Sequence, residues 1–281
     1  MTDEPRRTAL VTGASTGIGR AFAEHLASQG LDLVLTARRL DVLGKVAAEI
    51  QDRFEVDCRV IPADLAEPDA PRRIYYELAR DEIHVDVLVN NAGYGLPESL
   101  LETDWPDVRD FLEVMAVSWL HFIRLFTPGM VEQGWGRIAN VASLAAFAPE
   151  PPASLYSGVK SQMVMSSRGI RRKLLGTGVH CTAVCPGFTH SEFHERLGMP
   201  DVASTMPRWM WQDAQDVVAE GWRACERNRA VVLTGTPNKL IRGFLAVVPT
   251  ALAERLTPRS IKEVRGRRRR ATVGEPSGGP A

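Results

Sequence analysis

The sequence of 281 residues has no excess of charge of either sign, few cysteines and no long apolar run. Its 34 basic and 34 acidic residues balance, so the overall charge gives no reason to expect a nucleic acid or an anionic membrane as partner. No stretch approaches the roughly 18 consecutive apolar residues that a membrane-spanning helix needs. The N-terminus, MTDEPRRTALVTG, lacks the apolar segment of a secretory signal peptide. We therefore expect a cytoplasmic protein.

Without an export signal, the four cysteines are expected to be free thiols in a reducing compartment. They are Cys58, Cys181, Cys185 and Cys225. Two of them lie four residues apart in VHCTAVCPG, but no second pair of ligands accompanies them. In HSEFHE (190–195), Ser191 stands where a metalloprotease helix has the glutamate that follows its first histidine. We therefore predict no metal site, and interpret these segments as core residues and a polar loop.

Apolar segments of strand length alternate with amphipathic segments of helical length along most of the chain. Strands are predicted at 8–13, 31–37, 57–65, 85–93, 136–143, 179–187 and 229–235, and helices at 19–30, 39–54, 69–82, 105–133 and 153–175. Near-continuous apolar strands that alternate with helices predict a parallel sheet covered on both faces. The fold class is therefore α/β, a Rossmann-like doubly wound parallel sheet in a single domain over residues 1–257.

The C-terminal third departs from this alternation. Residues 188–228 contain several prolines and tryptophans, and we predict that they form a lid over the substrate. Residues 236–257 are an apolar extension, of which 240–256 is too short to span a membrane. In order of preference, it covers an apolar pocket, forms a dimer contact or lies in a membrane interface. Residues 258–281 are basic and then rich in proline and glycine, which predicts a disordered, solvated tail.

The first predicted strand is followed by TGASTGIG (12–19), which leads directly into a helix. Gly13, Gly17 and Gly19 allow the backbone to turn sharply and to approach a pyrophosphate closely. The helix N-terminus then offers unpaired amides to that anion. Glycines at such a turn also occur for steric reasons alone, but the strand before them and the helix after them favour a dinucleotide site.

The second predicted strand ends in LTARR, which bears on the identity of the dinucleotide. Sites for NAD usually carry an acidic residue here, and this sequence has Ala37. Arg38 beside it can form a bidentate pair with a 2′-phosphate, although it could also be a solvated residue at a helix start. The sequence therefore favours NADP(H) over NAD(H).

Six short motifs, taken in order, resemble those of the short-chain dehydrogenase/reductase family. They are TGASTGIG at 12–19, ADL at 63–65, NNAG at 90–93, Ser143, YSGVK at 156–160 and PGFT at 186–189. The resemblance extends from about residue 6 to residue 190, and residues 229–256 are more loosely similar to a branch with an apolar C-terminal extension. It implies hydride transfer between NADP(H) and a carbonyl or secondary alcohol.

The resemblance implies catalytic roles for Ser143, Tyr156 and Lys160. Tyr156 would protonate the carbonyl oxygen during reduction, Ser143 would hold that oxygen, and Lys160 would bind the nicotinamide ribose. Lys160 lies one helical turn after Tyr156, so its charge is expected to lower the pKa of the phenol from about 10. The alternative for a tyrosine and a lysine at this spacing is an exposed surface pair.

The resemblance also implies a set of cofactor contacts. They are Gly13, Ser15, Thr16, Gly17, Ile18, Gly19, Arg38, Asp64, Leu65, Asn91, Gly93, Tyr156, Lys160 and Thr189. Asp64 and Leu65 would flank the adenine, Asn91 and Gly93 would line the ribose side, and Thr189 would bond the carboxamide. For Asn90 and Asn91 a second interpretation is that their side chains only satisfy backbone groups at the strand end.

One position departs from the family pattern. Many members carry an asparagine in the long helix after NNAG, where it supports a water near the catalytic lysine. The local pattern places Ser118 at this position, whereas counting back from Pro128 places Met115 there. Either Ser118 substitutes for the asparagine or the proton relay runs differently.

These observations predict an oxidoreductase that prefers NADP(H) and acts on a bulky, apolar substrate, and we expect a homo-oligomer. The apolar substrate is inferred from 240–248 and from five side chains of the lid that could instead fill the core or an interface: Met199, Met206, Trp209, Met210 and Trp211. An alternative function is a redox sensor or scaffold that binds NADP(H) without turnover. A third is a membrane-surface protein that uses 240–256 and the basic tail.

Overall fold

The computed structural model describes residues 6–96, 98–148, 153–190 and 207–247. Seven strands form one parallel sheet in the order β3-β2-β1-β4-β5-β6-β7. They are β1 (Thr8–Thr12), β2 (Asp32–Ala37), β3 (Cys58–Pro62), β4 (Val87–Asn90), β5 (Gly136–Val141), β6 (Val179–Cys185) and β7 (Val231–Leu233). The order reverses between β1 and β4, as in doubly wound nucleotide-binding folds. The predicted α/β fold of a single domain is therefore confirmed.

Helices connect the parallel strands and cover both faces of the sheet. They are α1 (Gly17–Ser28), α2 (Leu40–Phe54), α3 (Ala70–Arg80), α4 (Trp105–Leu112), α5 (Ser118–Glu132), α6 (Tyr156–Lys173), α7 (Ala214–Glu226) and α8 (Thr236–Val247). A π-helical turn over Glu113–Val117 joins α4 to α5, and short 3₁₀ helices span Leu144–Phe147 and Arg208–Met210. The predicted strands extend past the observed ones because their last residues belong to motifs that leave the sheet.

The core consists of two apolar layers, one on each face of the sheet. Because side chains alternate along a strand, Leu10 and Leu88 face the layer of α3, α5 and α6, whereas Val11 and Val89 face that of α1, α2 and α7. Both layers are built from fully buried aliphatic and aromatic side chains. The continuous apolar character of β1 and β4 thus follows from burial on both faces.

The segment from α4 to α5 corrects one expectation. Its 28 residues, Trp105–Glu132, are long and apolar enough by length and composition to cross a membrane, which the sequence analysis did not anticipate. Its apolar side chains include Phe111, Trp119 and Phe122, all of which are buried in the layer against the sheet. In all, 44% of its most apolar window is buried inside the protein.

The range predicted as a lid, 188–228, is only partly separate from the core. Its last part forms α7, which packs against α1 and the sheet and buries Val217, Trp222 and Cys225. Residues 191–206 and 248–281 lie outside the described residues, as do Met199, Met206 and the predicted tail. The segment after β6 is bonded to Gln212, because the His190 amide donates to the Gln212 carbonyl at 3.0 Å and the Gln212 amide donates to the Phe188 carbonyl at 2.9 Å.

Candidate active site

The carboxyl ends of all seven strands meet at one edge of the sheet, and the predicted motifs follow those ends. The glycine loop follows β1, NNAG continues from β4, Ser143 follows β5 and Pro186 follows β6. In open α/β sheets, ligands bind at this edge near the point where the strand order reverses. The topology therefore brings together motifs that are spread along the chain from residue 12 to residue 189.

The glycine loop has the close backbone packing that a dinucleotide requires. A Cβ atom on Gly19 would lie 2.2 Å from the Gly13 carbonyl oxygen and 2.4 Å from the Asn91 amide nitrogen, so no side chain fits there. Gly13 has a φ of +65°, and its amide donates to the Thr36 carbonyl at 2.8 Å. Thr16 precedes α1 without a capping side-chain hydrogen bond. These features fit a pyrophosphate at the start of α1.

Asn91 fastens this loop to the end of β4. Its side-chain amide donates to the carbonyls of Thr12 at 3.0 Å and Gly13 at 3.2 Å. The Thr12 hydroxyl oxygen in turn accepts from the amides of Asn91 at 2.9 Å and Ala92 at 3.0 Å. The side chain of Asn91 thus satisfies backbone groups at the strand ends, which is the second of the two interpretations left open by the sequence.

The adenosine side of the edge is formed by the ends of β2 and β3. Arg38 directly follows β2, is exposed and forms no ion pair with any other described residue. The Asp64 carboxylate after β3 accepts from the Ala66 amide at 3.0 Å. The side chain of Leu65 is buried in the core layer, so its backbone is the part that would flank an adenine. A free guanidinium at this position fits a 2′-phosphate.

Ser143, Tyr156 and Lys160 lie together at the centre of the edge. Ser143 begins the 3₁₀ helix after β5, and its hydroxyl oxygen accepts from the Ala145 amide at 3.1 Å. Tyr156 is the first residue of α6, and its hydroxyl is near enough to the Ser143 side chain for that side chain to lower the pKa of the phenol. Lys160 lies one turn later, and its Nζ is 5.8 Å from the centre of the Tyr156 ring. The predicted trio is therefore a spatial cluster and not an exposed surface pair.

The electrostatics of the cluster correct the sequence analysis. Burial raises the pKa of Tyr156 to about 12, although the interaction with Ser143 opposes that rise. Burial also lowers the pKa of Lys160 to about 8. The ammonium of Lys160 donates to the Val141 carbonyl at 2.8 Å. The pKa of the phenol therefore lies above its ordinary value in the protein alone, opposite to the expected direction, because burial is the largest cause and the charge of Lys160 is not among the causes.

The sequence analysis missed two residues that lie near this cluster. Cys185 ends β6 beside β5. Burial raises the pKa of its thiol to about 12. The Ser143 backbone and the charges of Lys160 and Arg242 oppose part of that rise. Arg242 on α8 lies over the ring of Phe147, with 4.6 Å between the guanidinium carbon and the ring centre. Register between parallel neighbours could have revealed Cys185, whereas no sequence signal pointed to Arg242.

Met115 and Ser118, the two candidates for the position of the missing asparagine, have different contacts. Met115 lies in the π-helical turn, and its sulfur accepts from the Tyr94 amide after NNAG at 3.3 Å. The same sulfur lies 2.9 Å from where a Cβ on Gly93 would be. The buried hydroxyl of Ser118 donates to the Val114 carbonyl at 2.9 Å within its own helix. Of the two, Met115 is therefore the one whose side chain contacts the NNAG segment.

The segment after β6 closes the far side of the site. The Thr189 side chain is buried and its hydroxyl donates to the Gly187 carbonyl at 3.2 Å. His190 stacks on Trp211 with ring centres 4.9 Å apart. Among the described residues no group of three or more histidine, cysteine, aspartate or glutamate side chains could hold a metal ion, and His194 lies outside them.

Sequence comparisons relate this site to known proteins. A family model described as short chain dehydrogenase matches residues 7–200. The very-long-chain 3-oxoacyl-CoA reductase of Bos taurus is 35% identical over 184 residues, which cover 63% of this chain and 58% of the bovine protein. The corresponding reductase of Anas platyrhynchos is 29% identical over 268 residues, which cover 92% of this chain and 81% of the duck protein. The match thus spans little more than half of the bovine protein's length.

A comparison with solved structures agrees. The short-chain dehydrogenase from Sphingobium yanoikuyae in complex with NADPH superposes with a TM-score of 0.75 at 26% identity. The superposition covers 86% of this chain and 96% of that protein. The fold, the family match and the sequence motifs therefore all indicate a short-chain dehydrogenase.

The buried ammonium predicts a specific pH dependence of stability. The pKa of Lys160 is lowered from 10.5 to about 8, so in the nucleotide-free protein the charged form destabilises the fold below pH 8, and this cost disappears as pH rises to 10.5. We expect Lys160→Met to raise the free energy of unfolding on the order of 1–3 kcal/mol at pH 7, with the gain shrinking across that interval. Urea unfolding of the wild type and of Lys160→Met at several pH values measures this difference in the free energy of unfolding.

The matched control is Lys45→Met on α2, where the lysine is exposed. Its effect on stability should stay nearly constant over the same interval. Titrations of groups remote from Lys160 occur in both proteins and cancel in the difference between wild type and variant, whereas Cys185 is coupled to Lys160 and its titration forms part of the measured difference. A gain for Lys160→Met that does not change with pH would contradict the assignment of a buried charge.

Proposed function

The chain belongs to the short-chain dehydrogenase family, and we propose that it is an NADP(H)-dependent reductase that converts a carbonyl group of a bulky apolar substrate into a secondary alcohol. The family consists of oxidoreductases that act on CH–OH and C=O groups with NAD(P)(H). One observation carries the proposal: the cluster of Ser143, Tyr156 and Lys160 lies at the same sheet edge as the glycine loop.

The roles of the three side chains follow from their protonation and contacts. Tyr156, with a pKa of about 12, is protonated at neutral pH and is suited to donate a proton to the carbonyl oxygen. Ser143 interacts with Tyr156 and would hold the same oxygen. Lys160 would bind the nicotinamide ribose. When bound, NADP(H) supplies the hydride. The protonated phenol is the form that reduction requires, whereas oxidation would require Tyr156 to act as a base.

The catalytic assignment is tested with Tyr156→Phe. Because general acid catalysis contributes about 10²–10⁴-fold, we expect kcat to fall by that factor while NADPH affinity is nearly unchanged. Steady-state oxidation of NADPH over a panel of ketones and aldehydes, with fluorescence titration of NADPH, measures both.

The matched control is Tyr76→Phe on α3, whose ring is exposed, and it should leave both quantities unchanged. A wild-type protein that binds NADPH but reduces no carbonyl would favour the redox sensor. Wild-type turnover that persists in Tyr156→Phe would remove Tyr156 from the mechanism.

The preference for NADP(H) rests on Arg38 and on the absence of an acidic residue at Ala37. An arginine hydrogen bond to a phosphate typically contributes about 1.5–3 kcal/mol. We therefore expect Arg38→Ala to weaken NADPH binding by roughly 10–150-fold and to leave NADH binding unchanged, because NADH has no 2′-phosphate. Calorimetric titration with both nucleotides tests this, and an unchanged ratio of the two affinities would exclude Arg38 as the determinant.

The apolar substrate is supported by the position of the C-terminal extension. Helix α8 packs against the 3₁₀ helix that follows Ser143, and against the 3₁₀ helix Arg208–Met210. Leu240 and Trp209 are 70% and 63% exposed there. Large apolar side chains exposed beside a site are typical of a surface that contacts an apolar ligand. The names of the bovine and duck relatives refer to very-long-chain acyl substrates, which is consistent with this proposal.

A series of ketones of increasing chain length tests the substrate class. Each additional buried CH₂ contributes about 0.8 kcal/mol, so kcat/KM should rise roughly fourfold per methylene before it levels off. Trp209→Ala should reduce this slope, whereas Trp105→Ala, a change at an equally exposed tryptophan on α4, should not. A flat series, or a preference for small polar ketones, would contradict an apolar substrate wall.

A further inference from the structure

Arg242 is a cation held at the edge of the candidate active site. Its guanidinium carbon lies 4.6 Å from the centre of the Phe147 ring, and Phe147 ends the 3₁₀ helix that Ser143 begins. Such an arrangement is a cation–π contact, which orients the guanidinium without using its N–H donors. The contact therefore positions the group and leaves its hydrogen-bonding capacity for another partner.

The first turn of α8 determines which way Arg242 faces. Asn238 is fully buried and donates to the Thr234 carbonyl at 2.9 Å and to the Gln212 side chain at 3.1 Å. It packs directly on the backbone of Gly187, where a Cβ atom would lie 2.3 Å from the Asn238 amide nitrogen. Residues four apart share one face of a helix, so Arg242 projects from the face that contacts the site.

The neighbouring cation on α8 has a different environment. Lys239 forms an ion pair with Glu220, whose other carboxylate oxygen accepts from the Gly235 amide at 2.8 Å. Arg242 forms no ion pair with any residue in the described part of the chain. Its positive charge nonetheless acts on Cys185, the neighbour of Lys160. A guanidinium without a carboxylate, held beside a catalytic cluster, is suited to bind an anion.

We propose that Arg242 is a specificity-determining residue that binds an anionic group, a carboxylate or a phosphate, on the part of the substrate remote from the reacting carbonyl. The inference rests on the proposed function and names a second feature of its substrate. An acyl chain would contact the exposed apolar side chains of this face, and the anion would be bound at the guanidinium. The substrate is then an amphipathic carbonyl compound and not a neutral ketone.

The test compares two thioesters with the same acyl chain. One is 3-oxododecanoyl-coenzyme A, which carries phosphates, and the other is the neutral N-acetylcysteamine thioester. For Arg242→Gln we expect KM for the coenzyme A thioester to rise at least about tenfold with kcat nearly unchanged, and both constants for the neutral thioester to remain unchanged. Arg242→Lys should retain part of the preference, because an ammonium keeps the charge but loses the bidentate geometry.

Two controls separate this role from a structural one. Arg223→Gln, at an exposed arginine on α7, should leave all constants unchanged. Increasing salt should raise KM only for the charged thioester in the wild type, and this dependence should disappear in Arg242→Gln. An equal loss on both thioesters would indicate that Arg242 merely supports the fold, and would overturn the proposal.

Binding measurements distinguish failure of this inference from failure of the proposed function. Calorimetric titration with dodecanoyl-coenzyme A, which has no keto group to reduce, reports on anion binding without turnover, and Arg242→Gln should weaken it. If no carbonyl compound is reduced but this difference persists, the proposed function fails and the anion site remains. If ketones are reduced and Arg242→Gln binds as the wild type does, the anion site is wrong. Co-sedimentation with phosphatidylserine vesicles that depends on Arg242, with unchanged KM, would assign the anion to a lipid headgroup and overturn the substrate role.

Discussion

Four hydrogen bonds between the ends of β1 and β4 determine the shape of the candidate site. The Thr12 hydroxyl oxygen accepts two backbone amides of the NNAG segment, and the Asn91 side chain donates to the carbonyls of Thr12 and Gly13. These strands are neighbours at the topological switch, so the bonds hold the glycine loop on one wall of the crevice against the other. This close packing requires glycine at position 19, because a Cβ atom there would clash with the side-chain amide of Asn91. The glycine loop and the NNAG segment therefore form the candidate nucleotide site together, and neither motif forms it alone.

Burial acts in opposite directions on the two titratable groups of the cluster. In water a phenol and an ammonium have similar pKa values, whereas here the pKa of Tyr156 is about 12 and that of Lys160 about 8. Loss of water disfavours the charged form in both cases, so the tyrosine keeps its proton and the lysine holds its proton less strongly. The charge of Cys185 opposes the fall in the pKa of Lys160, and the interaction with Ser143 opposes the rise in the pKa of Tyr156. A separation of pKa values of this kind supports the proposal that the phenol is the proton donor.

The sequence was sufficient for the fold and for the location of the site, because apolar alternation and the order of motifs determine which strand ends meet. It was insufficient wherever the answer depended on a distance across the sheet. The side chain of Leu65 turned inward, the pKa of Tyr156 moved opposite to the expected direction, and α7 proved to be a core layer within the predicted lid. The position of Met115 required the π-helical turn, which shifts the register of the helix by a residue and has no clear sequence signal.

The part of the chain that carries the shared motifs ends before α8 begins. The family model matches residues 7–200, whereas α8 begins at Thr236, beyond that range. Helix α8 is nevertheless joined to the motif region, because Asn238 packs on Gly187 of the PGFT segment and Arg242 stacks on Phe147 next to Ser143. A change in α8 can therefore alter which substrate reaches the cluster without moving the groups that transfer the proton. Selectivity in this protein is accordingly expected in the segment that the shared motifs constrain least, at contacts that are short in space but remote in sequence.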